Sequence, residues 1–344
     1  MERTGVLLVN LGTPKAPSVK AVRKYLKEFL SDPLVIDLPW LLRQVLLRCV
    51  ILPFRPKQSA HAYQQIWTDE GSPLLVNSQR FQEALQDHLG DEYTVVLAMR
   101  YGEPDIHAAV KRLYKRGCHR VIFYPLFPQY SGAATGSAIL AVQRAFQQFS
   151  DYFTLNICTS FYDEPAFYES VAALGRESME TFSPDFVLFS YHGLPERQLT
   201  KAGCDTGRCD RQRSCLVQQP DLEHCYRAQC FKTTELIANC LGLDKQIYDT
   251  SFQSRLGKTV WVQPYTDEIL NQLKAKGVKR LLVFSPSFVA DCLETLEELA
   301  MRLREQWMSM GGEDLHLVPA LNHDPRWVTA FADMVKAAAN FAHD

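Results

Sequence analysis

The apolar stretch Phe186-Val-Leu-Phe-Ser-Tyr-His192-Gly-Leu-Pro195 decides the fold of this chain, because it predicts a buried strand that ends at a histidine and a turn. A second such strand, Arg280-Leu-Leu-Val-Phe-Ser285, leads through Pro286 into the acidic segment Asp291-Cys-Leu-Glu294-Thr-Leu-Glu-Glu298. In open α/β sheets, ligands bind outside the carboxyl ends of the strands. We therefore expect His192 and these carboxylates to form one site that handles a metal ion and a proton.

Strand-like runs recur along the whole chain, and helical patterns separate most of them. This alternation predicts parallel strands joined by crossover helices. The runs, four in each half, are Val6–Asn10, Val95–Met99, Arg120–Tyr124 and Thr154–Cys158, then Val187–Tyr191, Thr259–Val262, Arg280–Phe284 and Leu315–Pro319.

The two halves also resemble each other in the segments that flank these runs. The matching pairs are Gly5–Pro14 with Phe186–Pro195, Lys111–Gly117 with Asn271–Gly277, Pro125 with Pro286, and Tyr162–Pro165 with His323–Pro325. Because the matches occur in the same order, they indicate an internal duplication.

We predict an α/β protein with two similar doubly wound parallel-sheet domains. The first spans residues 1–175 and the second spans 176–324, and the last helix, 325–344, packs back on the first. The length of 344 residues is enough for two domains of roughly 100–200 residues each. A cleft between two such domains is a natural ligand site.

Composition narrows the class of protein. The net charge of −2 provides no basic surface, so we expect no nucleic-acid partner. The first strand begins near Gly5, so we expect no signal or transit peptide. Ten cysteines in such a chain fit a reducing cytosol better than a disulfide framework. We therefore expect a cytoplasmic enzyme that acts as a monomer or homodimer.

His192 has a structural and a functional interpretation. A lone histidine is usually a satisfied core residue, but this one lies where a strand gives way to a turn. Its side chain titrates near neutral pH, so it can accept a proton or bind a metal. The position favours the functional interpretation.

The acidic segment has the same two interpretations. Asp291, Glu294 and Glu298 are spaced i, i+3 and i+7, which predicts one shared helical face. Such a face is usually a solvated stripe. Here the helix directly follows a buried strand, which would place its first turn beside a ligand, and the helix dipole favours carboxylates there.

Nucleotide chemistry is not favoured. Tyr130-Ser-Gly-Ala-Ala-Thr-Gly-Ser137 is a small, hydroxyl-rich entry to a helix, where an anion site and a tight packing turn are equally compatible. It lacks the lysine of a P-loop, and the chain contains no Gly-x-Gly-x-x-Gly motif.

The region 34–54 is apolar on nearly every side, with few charges to interrupt it. One interpretation is a buried core helix. The other is a lip that contacts an apolar ligand or the surface of the inner membrane. Just beyond it, Arg55, Tyr63 and Ser72 are candidates for binding a carboxylate.

Half of the cysteines fall within one short segment. They are Cys204, Cys209, Cys215, Cys225 and Cys230. This clustering predicts metal or iron–sulfur ligation, and the spacing fits no standard zinc-finger pattern, so we expect a [2Fe–2S] cluster held by four of the five. The remaining cysteines, Cys49, Cys118, Cys158, Cys240 and Cys292, are expected to be small core residues.

Taken together, these motifs resemble the ferrochelatase family, whose members insert ferrous iron into protoporphyrin. The resemblance covers essentially the whole chain. It rests on Asn10-Leu-Gly-Thr-Pro14, Gly71-Ser-Pro73, Tyr191-His192-Gly-Leu-Pro195, Ser254-Arg-Leu-Gly257, Pro264-Tyr-Thr-Asp-Glu268 and Asp291-Cys-Leu-Glu294-Thr-Leu-Glu-Glu298. It implies a chelatase-like fold with two similar domains.

The resemblance also implies roles for individual residues. His192 matches the histidine that faces the porphyrin centre, and Glu294 matches its acidic partner, with Asp291 and Glu298 further along an Fe²⁺ route. Residues matching those that line the pocket or meet the propionates are Arg55, Tyr63, Ser72, Arg100, Tyr101, Trp261 and Phe288. The segment 204–230 departs from many relatives by its length and cysteines, and it resembles bacterial members that carry an internal [2Fe–2S] cluster.

Other functions stay open at this point. The enzyme alternatives are a coproporphyrin ferrochelatase and a chelatase for another tetrapyrrole, such as one that inserts cobalt into sirohydrochlorin. The non-enzyme alternative is a porphyrin or haem carrier, which would not need Asp291, Glu294 and Glu298.

Overall fold

The computed structural model describes residues 3–149, 152–203, 225–257 and 259–340. Contacts between Cα atoms divide the chain into two units. Unit 1 comprises Met1–Phe127, Gly132–Ser160 and Asn322–Asp344, and unit 2 comprises Pro128–Ser131 and Phe161–Leu321. Each unit contains one parallel sheet flanked by helices, so the predicted α/β class is confirmed.

The elements alternate along the chain as the sequence predicts. In the described residues the strands are β1 (Arg3–Gly12), β2 (Tyr93–Tyr101), β3 (Cys118–Pro125), β4 (Thr154–Ile157), β5 (Phe186–His192), β6 (Tyr248–Gln253), β7 (Arg280–Phe284) and β8 (Asp314–Leu317). The α-helices are α1 (Val19–Ser31), α2 (Trp40–Val45), α3 (Leu52–Ile66), α4 (Pro73–Leu89), α5 (Ile106–Lys115), α6 (Ser137–Phe146), α7 (Pro165–Phe182), α8 (Glu196–Lys201), α9 (Tyr226–Leu241), α10 (Thr266–Ala275), α11 (Arg304–Ser309) and α12 (Pro325–Asn340). Three π-helical segments interrupt them: Leu46–Ile51, Gly132–Gly136 and Glu294–Leu303.

The two sheets have the same topology, which supports the predicted duplication. The strand order is β2-β1-β3-β4 in unit 1 and β6-β5-β7-β8 in unit 2, all parallel. The turns that follow β2 and β6 also correspond. The amide of Met99 donates to the carbonyl of Pro104 (2.7 Å), and that of Phe252 donates to the carbonyl of Pro264 (2.8 Å).

Apolar strand faces pack against helices in both units. In unit 1, Leu7 and Phe123 pack with Val110 of α5 and Val142 of α6. In unit 2, Leu188 and Leu281 form a cluster with Leu299, Leu303 and Trp307. This second cluster is important for function, because Leu299 and Leu303 anchor the acidic π-helical segment against the sheet.

One predicted strand is wrong. The sixth strand is Tyr248–Gln253 rather than Thr259–Val262. The true strand is polar in sequence, yet Thr250, Ser251 and Gln253 are buried and satisfied by hydrogen bonds to Thr234, Thr266 and Ser190. The apolar run instead pairs briefly beyond the end of β5, where Trp261 forms a bridge with Pro195.

The boundary between the two units lies earlier in the chain than the sequence predicts, so that α7 belongs to unit 2. The sequence division places residues 161–175 in the first half, whereas contacts assign all of α7 to unit 2. Gly175 shows why: a Cβ atom at this position would lie 2.4 Å from the Phe284 ring of β7. The last helix, α12, groups with unit 1, where Tyr124 donates to the carbonyl of Met334 (3.1 Å).

None of the helices among the described residues is long and apolar enough to cross a membrane.

Candidate active site

His192 is the last residue of β5, at the carboxyl edge of the unit 2 sheet. Its ring Nδ1 lies 2.7 Å from the carbonyl oxygen of Gly193. A carbonyl oxygen only accepts, so Nδ1 is the protonated nitrogen, and Nε2 is the nitrogen that offers a lone pair when the ring is neutral. The imidazole is therefore held as a base or metal ligand at Nε2.

Two aromatic residues predicted to line the pocket lie beside His192. The rings of His192 and Phe288 are 6.3 Å apart and inclined at 68°. Trp261 stacks over Gly193, where an added Cβ atom would lie 3.3 Å from the indole and 2.8 Å from the carbonyl of Gln253. The approach to the Gln253 carbonyl leaves no room for a side chain, so the turn after His192 requires glycine, and the Trp261 indole lies against the same position.

The acidic segment differs from the prediction at its start. The helix takes the π-helical form from Glu294 to Leu303, and Asp291 precedes it. The expected shared face is therefore wrong for Asp291. Its buried carboxylate accepts a hydrogen bond from the hydroxyl of Thr295 (2.9 Å). Glu294 and Glu298 are one turn apart and so remain on one side of the helix. π-Helical turns occur frequently at functional sites.

Glu298 is held by Ser254, the first residue of the motif Ser254-Arg-Leu-Gly257. The amide and the hydroxyl of Ser254 donate to the two carboxylate oxygens of Glu298 at 2.9 and 2.6 Å. Ser254 also adopts φ +65°, an unfavourable conformation for a residue with a side chain. Burial raises the pKa of Glu298, while the hydrogen bond from the Ser254 hydroxyl, and the nearby His192 whenever its ring is protonated, act in the opposite direction.

Glu294 has a buried thiol beside it. The Cys292 side chain hydrogen-bonds with the Glu294 carboxylate, and burial together with that negative charge raises the pKa of the thiol well above its usual range. The thiol thus stays protonated and donates to Glu294. The negative charge of Glu294 also raises the pKa of Glu298.

The remaining predicted porphyrin-binding residues lie in unit 1. Arg55 is exposed on α3. Tyr63, on the same helix, is buried with its ring 6.1 Å from that of Trp67. Ser72 is buried at the start of α4, where it accepts a hydrogen bond from the Thr13 hydroxyl (2.7 Å).

Arg100 and Tyr101, at the end of β2, join a network around Asp32 that sequence reasoning missed. The Asp32 carboxylate accepts from the Arg100 guanidinium (2.6 Å), the Tyr101 hydroxyl (2.9 Å) and the Ser137 hydroxyl (2.6 Å). Burial favours protonation of Asp32, but these three groups and the amide of Leu34 hold its pKa below the usual range. Tyr101 is thus buried in an internal network, with its hydroxyl already engaged.

Only two of the five clustered cysteines fall within the described residues. Cys204, Cys209 and Cys215 lie outside them. Cys225 precedes α9 and Cys230 lies within that helix, and both are buried. Burial, then the nearby Cys225, raises the pKa of Cys230. Among the other five, Cys49 is exposed, so the prediction of a core residue is wrong there.

In the part of the chain that the structure describes, no three His, Cys, Asp or Glu side chains group closely enough to hold a metal ion.

Comparison with known proteins identifies the family. The ferrochelatase family model matches residues 3–339. The chain belongs to the ferrochelatase family. A ferrochelatase from Coxiella burnetii (strain Dugway 5J108-111) is 51% identical over 334 residues, covering 97% of this chain and 93% of the relative. One from Legionella pneumophila (strain Lens) is 48% identical over 335 residues, covering 97% and 98%.

Solved structures agree on the fold beyond the ferrochelatases. SirB from Bacillus subtilis, solved with Fe³⁺, superposes with a TM-score of 0.56 at 11% identity, over 99% of this chain and 97% of that chain. The sirohydrochlorin chelatase SirB from B. subtilis subspecies spizizenii, in complex with cobalt, gives 0.54 at 12% identity, over 98% and 96%. At these identities the likeness shows the fold alone, and it confirms the predicted chelatase-like architecture.

Proposed function

We propose that this chain inserts ferrous iron into protoporphyrin IX to form protohaem, the last step of haem biosynthesis. The observation that carries the proposal is the unit 2 site: His192, with Nδ1 fixed on the Gly193 carbonyl and Nε2 left for a proton or a metal, beside Phe288 and next to the glycine turn under Trp261. Family membership supports the same reaction.

The chemistry requires that two pyrrole protons leave the macrocycle as the metal enters. An imidazole with a free Nε2 can accept a proton or bind iron, and carboxylates suit a hydrated ferrous ion. In our proposal His192 faces the porphyrin nitrogens, and Glu294 and Glu298 conduct iron and protons. Trp261 and Phe288 contact the macrocycle. In unit 1 the family resemblance assigns porphyrin binding to Arg55, Tyr63, Ser72, Arg100 and Tyr101. Because Tyr101 is buried with its hydroxyl on Asp32, it would act through the Asp32 network rather than by touching the ligand.

The substrate test is anaerobic insertion of Fe(II), followed by absorbance, into protoporphyrin IX, coproporphyrin III and sirohydrochlorin in parallel. We expect the highest kcat/KM with protoporphyrin. A preference for coproporphyrin would contradict the last-step assignment but keep the reaction class. Porphyrin binding without insertion of any metal would indicate the carrier alternative.

We also propose that the region 34–54 contacts the inner membrane from the cytoplasmic side. Its support is exposure of apolar side chains that a core helix would bury: Trp40 (67%), Leu41 (64%), Leu42 (57%), Val45 (53%) and Phe54 (75%). Arg43, by contrast, is buried and donates to the carbonyl of Leu38 (3.0 Å), which fixes the start of the helix. Exposed patches of this kind are typical of interfacial contacts.

Replacing Leu42 and Val45 together by aspartate should weaken sedimentation with phosphatidylglycerol-containing liposomes by about tenfold or more, since two exposed apolar side chains that would enter the lipid are replaced by charges. Leu140→Asp is the matched control, because Leu140 is 45% exposed on α6, outside the region. Liposome binding unchanged in the double variant would contradict the membrane contact.

Finally, we propose a [2Fe–2S] cluster held by four of the five clustered cysteines, with Cys204, Cys209, Cys215 and Cys225 as first choice and Cys230 as the fifth candidate. What supports it is the clustering in sequence and the burial of Cys225 and Cys230 side by side. A buried thiolate is unfavourable without a cation, and iron would supply that charge.

Protein purified anaerobically should be red-brown, with about two iron and two acid-labile sulfide per chain. Cys209→Ser should lose both, whereas Cys240→Ser, outside the segment, should keep them. Iron and sulfide near zero would rule out the cluster, and stoichiometric zinc would indicate a structural zinc site in its place.

A further inference from the structure

The main chain at His192 lies where the sheet loses one of its strands. β5 pairs with β6 as far as His192 and Gln253, but it pairs with β7 only as far as Phe189 and Phe284. In a parallel ladder the N–H and C=O of one residue point to the same neighbouring strand. The Gly193 amide donates to the carbonyl of Gln253 on β6 (2.8 Å), so the polar groups of His192 point to the side where β7 has ended.

Two side chains take the place of the missing strand. The amide of His192 donates to the hydroxyl oxygen of Ser287 (3.3 Å), and the hydroxyl of Tyr226 donates to the carbonyl of His192 (2.7 Å). The two hydroxyl oxygens are 3.1 Å apart. Because the Tyr226 proton is used on the carbonyl, Ser287 donates to Tyr226. The three bonds form a closed ring that satisfies both backbone groups of His192.

We propose that Tyr226 and Ser287 are positioning residues that fix the His192 imidazole for metal insertion. Nδ1 of the ring is tied to the carbonyl of Gly193, so any shift of the main chain at this point moves Nε2 with it. Misplacement of a reacting group by about 1 Å costs on the order of 100-fold in rate. The inference rests on the proposed role of His192 in the reaction.

The ring of hydrogen bonds joins parts of unit 2 that are far apart in the sequence, so it can hold the site in place. Tyr226 is the first residue of α9 and is buried, and Ser287 lies in the turn after β7, next to Phe288. The ring thus connects the start of α9 and the aromatic side of the site to the histidine.

Tyr226→Phe tests the proposal because it removes only the hydroxyl. We expect kcat for Fe(II) insertion to fall about tenfold or more, while KM for porphyrin stays within about twofold. Ser287→Ala should have a similar effect, Ser287→Thr should keep most of the activity by retaining a hydroxyl, and the double variant Tyr226→Phe/Ser287→Ala should be no slower than either single variant.

Tyr124→Phe is the matched control. Tyr124 is also buried, and its hydroxyl also donates to a main-chain carbonyl, that of Met334 in unit 1. It should lower the melting temperature to a similar extent without lowering kcat. A kcat of Tyr226→Phe within about twofold of wild type, or equal losses in both variants, would overturn the positioning role. His192→Ala, measured alongside, separates the two claims: full activity there would defeat the role of His192 itself.

Discussion

His192→Ala should abolish iron insertion while porphyrin still binds. The variant removes the imidazole, and with it Nε2, at the end of β5 but leaves the neighbouring rings of Phe288 and Trp261 in place. A positioned acid–base group contributes typically about 10²–10⁴-fold to a rate, so we expect kcat to fall by at least about 10²-fold. Fluorescence quenching on titration with protoporphyrin should give a dissociation constant within about threefold of wild type, a shift of well under ~1.4 kcal/mol.

His316→Ala is the matched control for this variant. His316 lies in β8 of the same unit, exposed and packed against Phe182, with no part in the site. It should insert iron at the wild-type rate. If His192→Ala kept more than about a tenth of wild-type turnover, the barrier would have changed by less than ~1.4 kcal/mol, and a central role for His192 would be refuted.

The sequence predicts most of the fold because the fold depends on strands buried on both faces. Such strands are continuous apolar runs, and β1, β5 and β7 are legible for that reason. β6 is not, because its buried Thr250, Ser251 and Gln253 are polar and depend on hydrogen-bond partners from other elements. Those partners are distant in the sequence, so no local sequence pattern predicts the strand.

In the candidate site, too, some residues can be predicted from local sequence patterns and others cannot. His192 and Glu294 are predictable because each marks the end of a buried strand or the start of the helix that follows one. Ser254, Tyr226 and Ser287 act through single hydrogen bonds across the fold, and serine or tyrosine at those positions has no distinctive spacing. Asp291 is a residue that the sequence pattern wrongly includes. Its spacing fits an ideal helical face, but the residue precedes the helix.

Replacing the carboxylates of the acidic π-helical segment should also change the kinetics strongly, and Glu294 and Glu298 should affect different parameters. Glu294 interacts with the Cys292 thiol and lies at the first position of the segment, whereas Glu298 is held in place by Ser254 one turn later. We propose that Glu294 acts in the chemical step and that Glu298 is an outer station for iron. Glu294→Gln should therefore lower kcat by about 10²-fold or more, since it removes the charge and nearly preserves the shape.

Glu298→Gln should act mainly on iron, raising the apparent KM for Fe(II) by about tenfold and changing kcat little. Glu297→Gln is the matched control on the same segment, because Glu297 instead pairs with Arg302 (3.2 Å). Arg302 is largely exposed, so the pair is worth about 0–1 kcal/mol, and this variant should keep both kcat and KM. Initial rates measured anaerobically over a range of Fe(II) concentrations separate the two parameters. Equal and mild effects from Glu294→Gln and Glu298→Gln would mean that neither carboxylate handles iron or protons, and iron would then have to reach the porphyrin by another route.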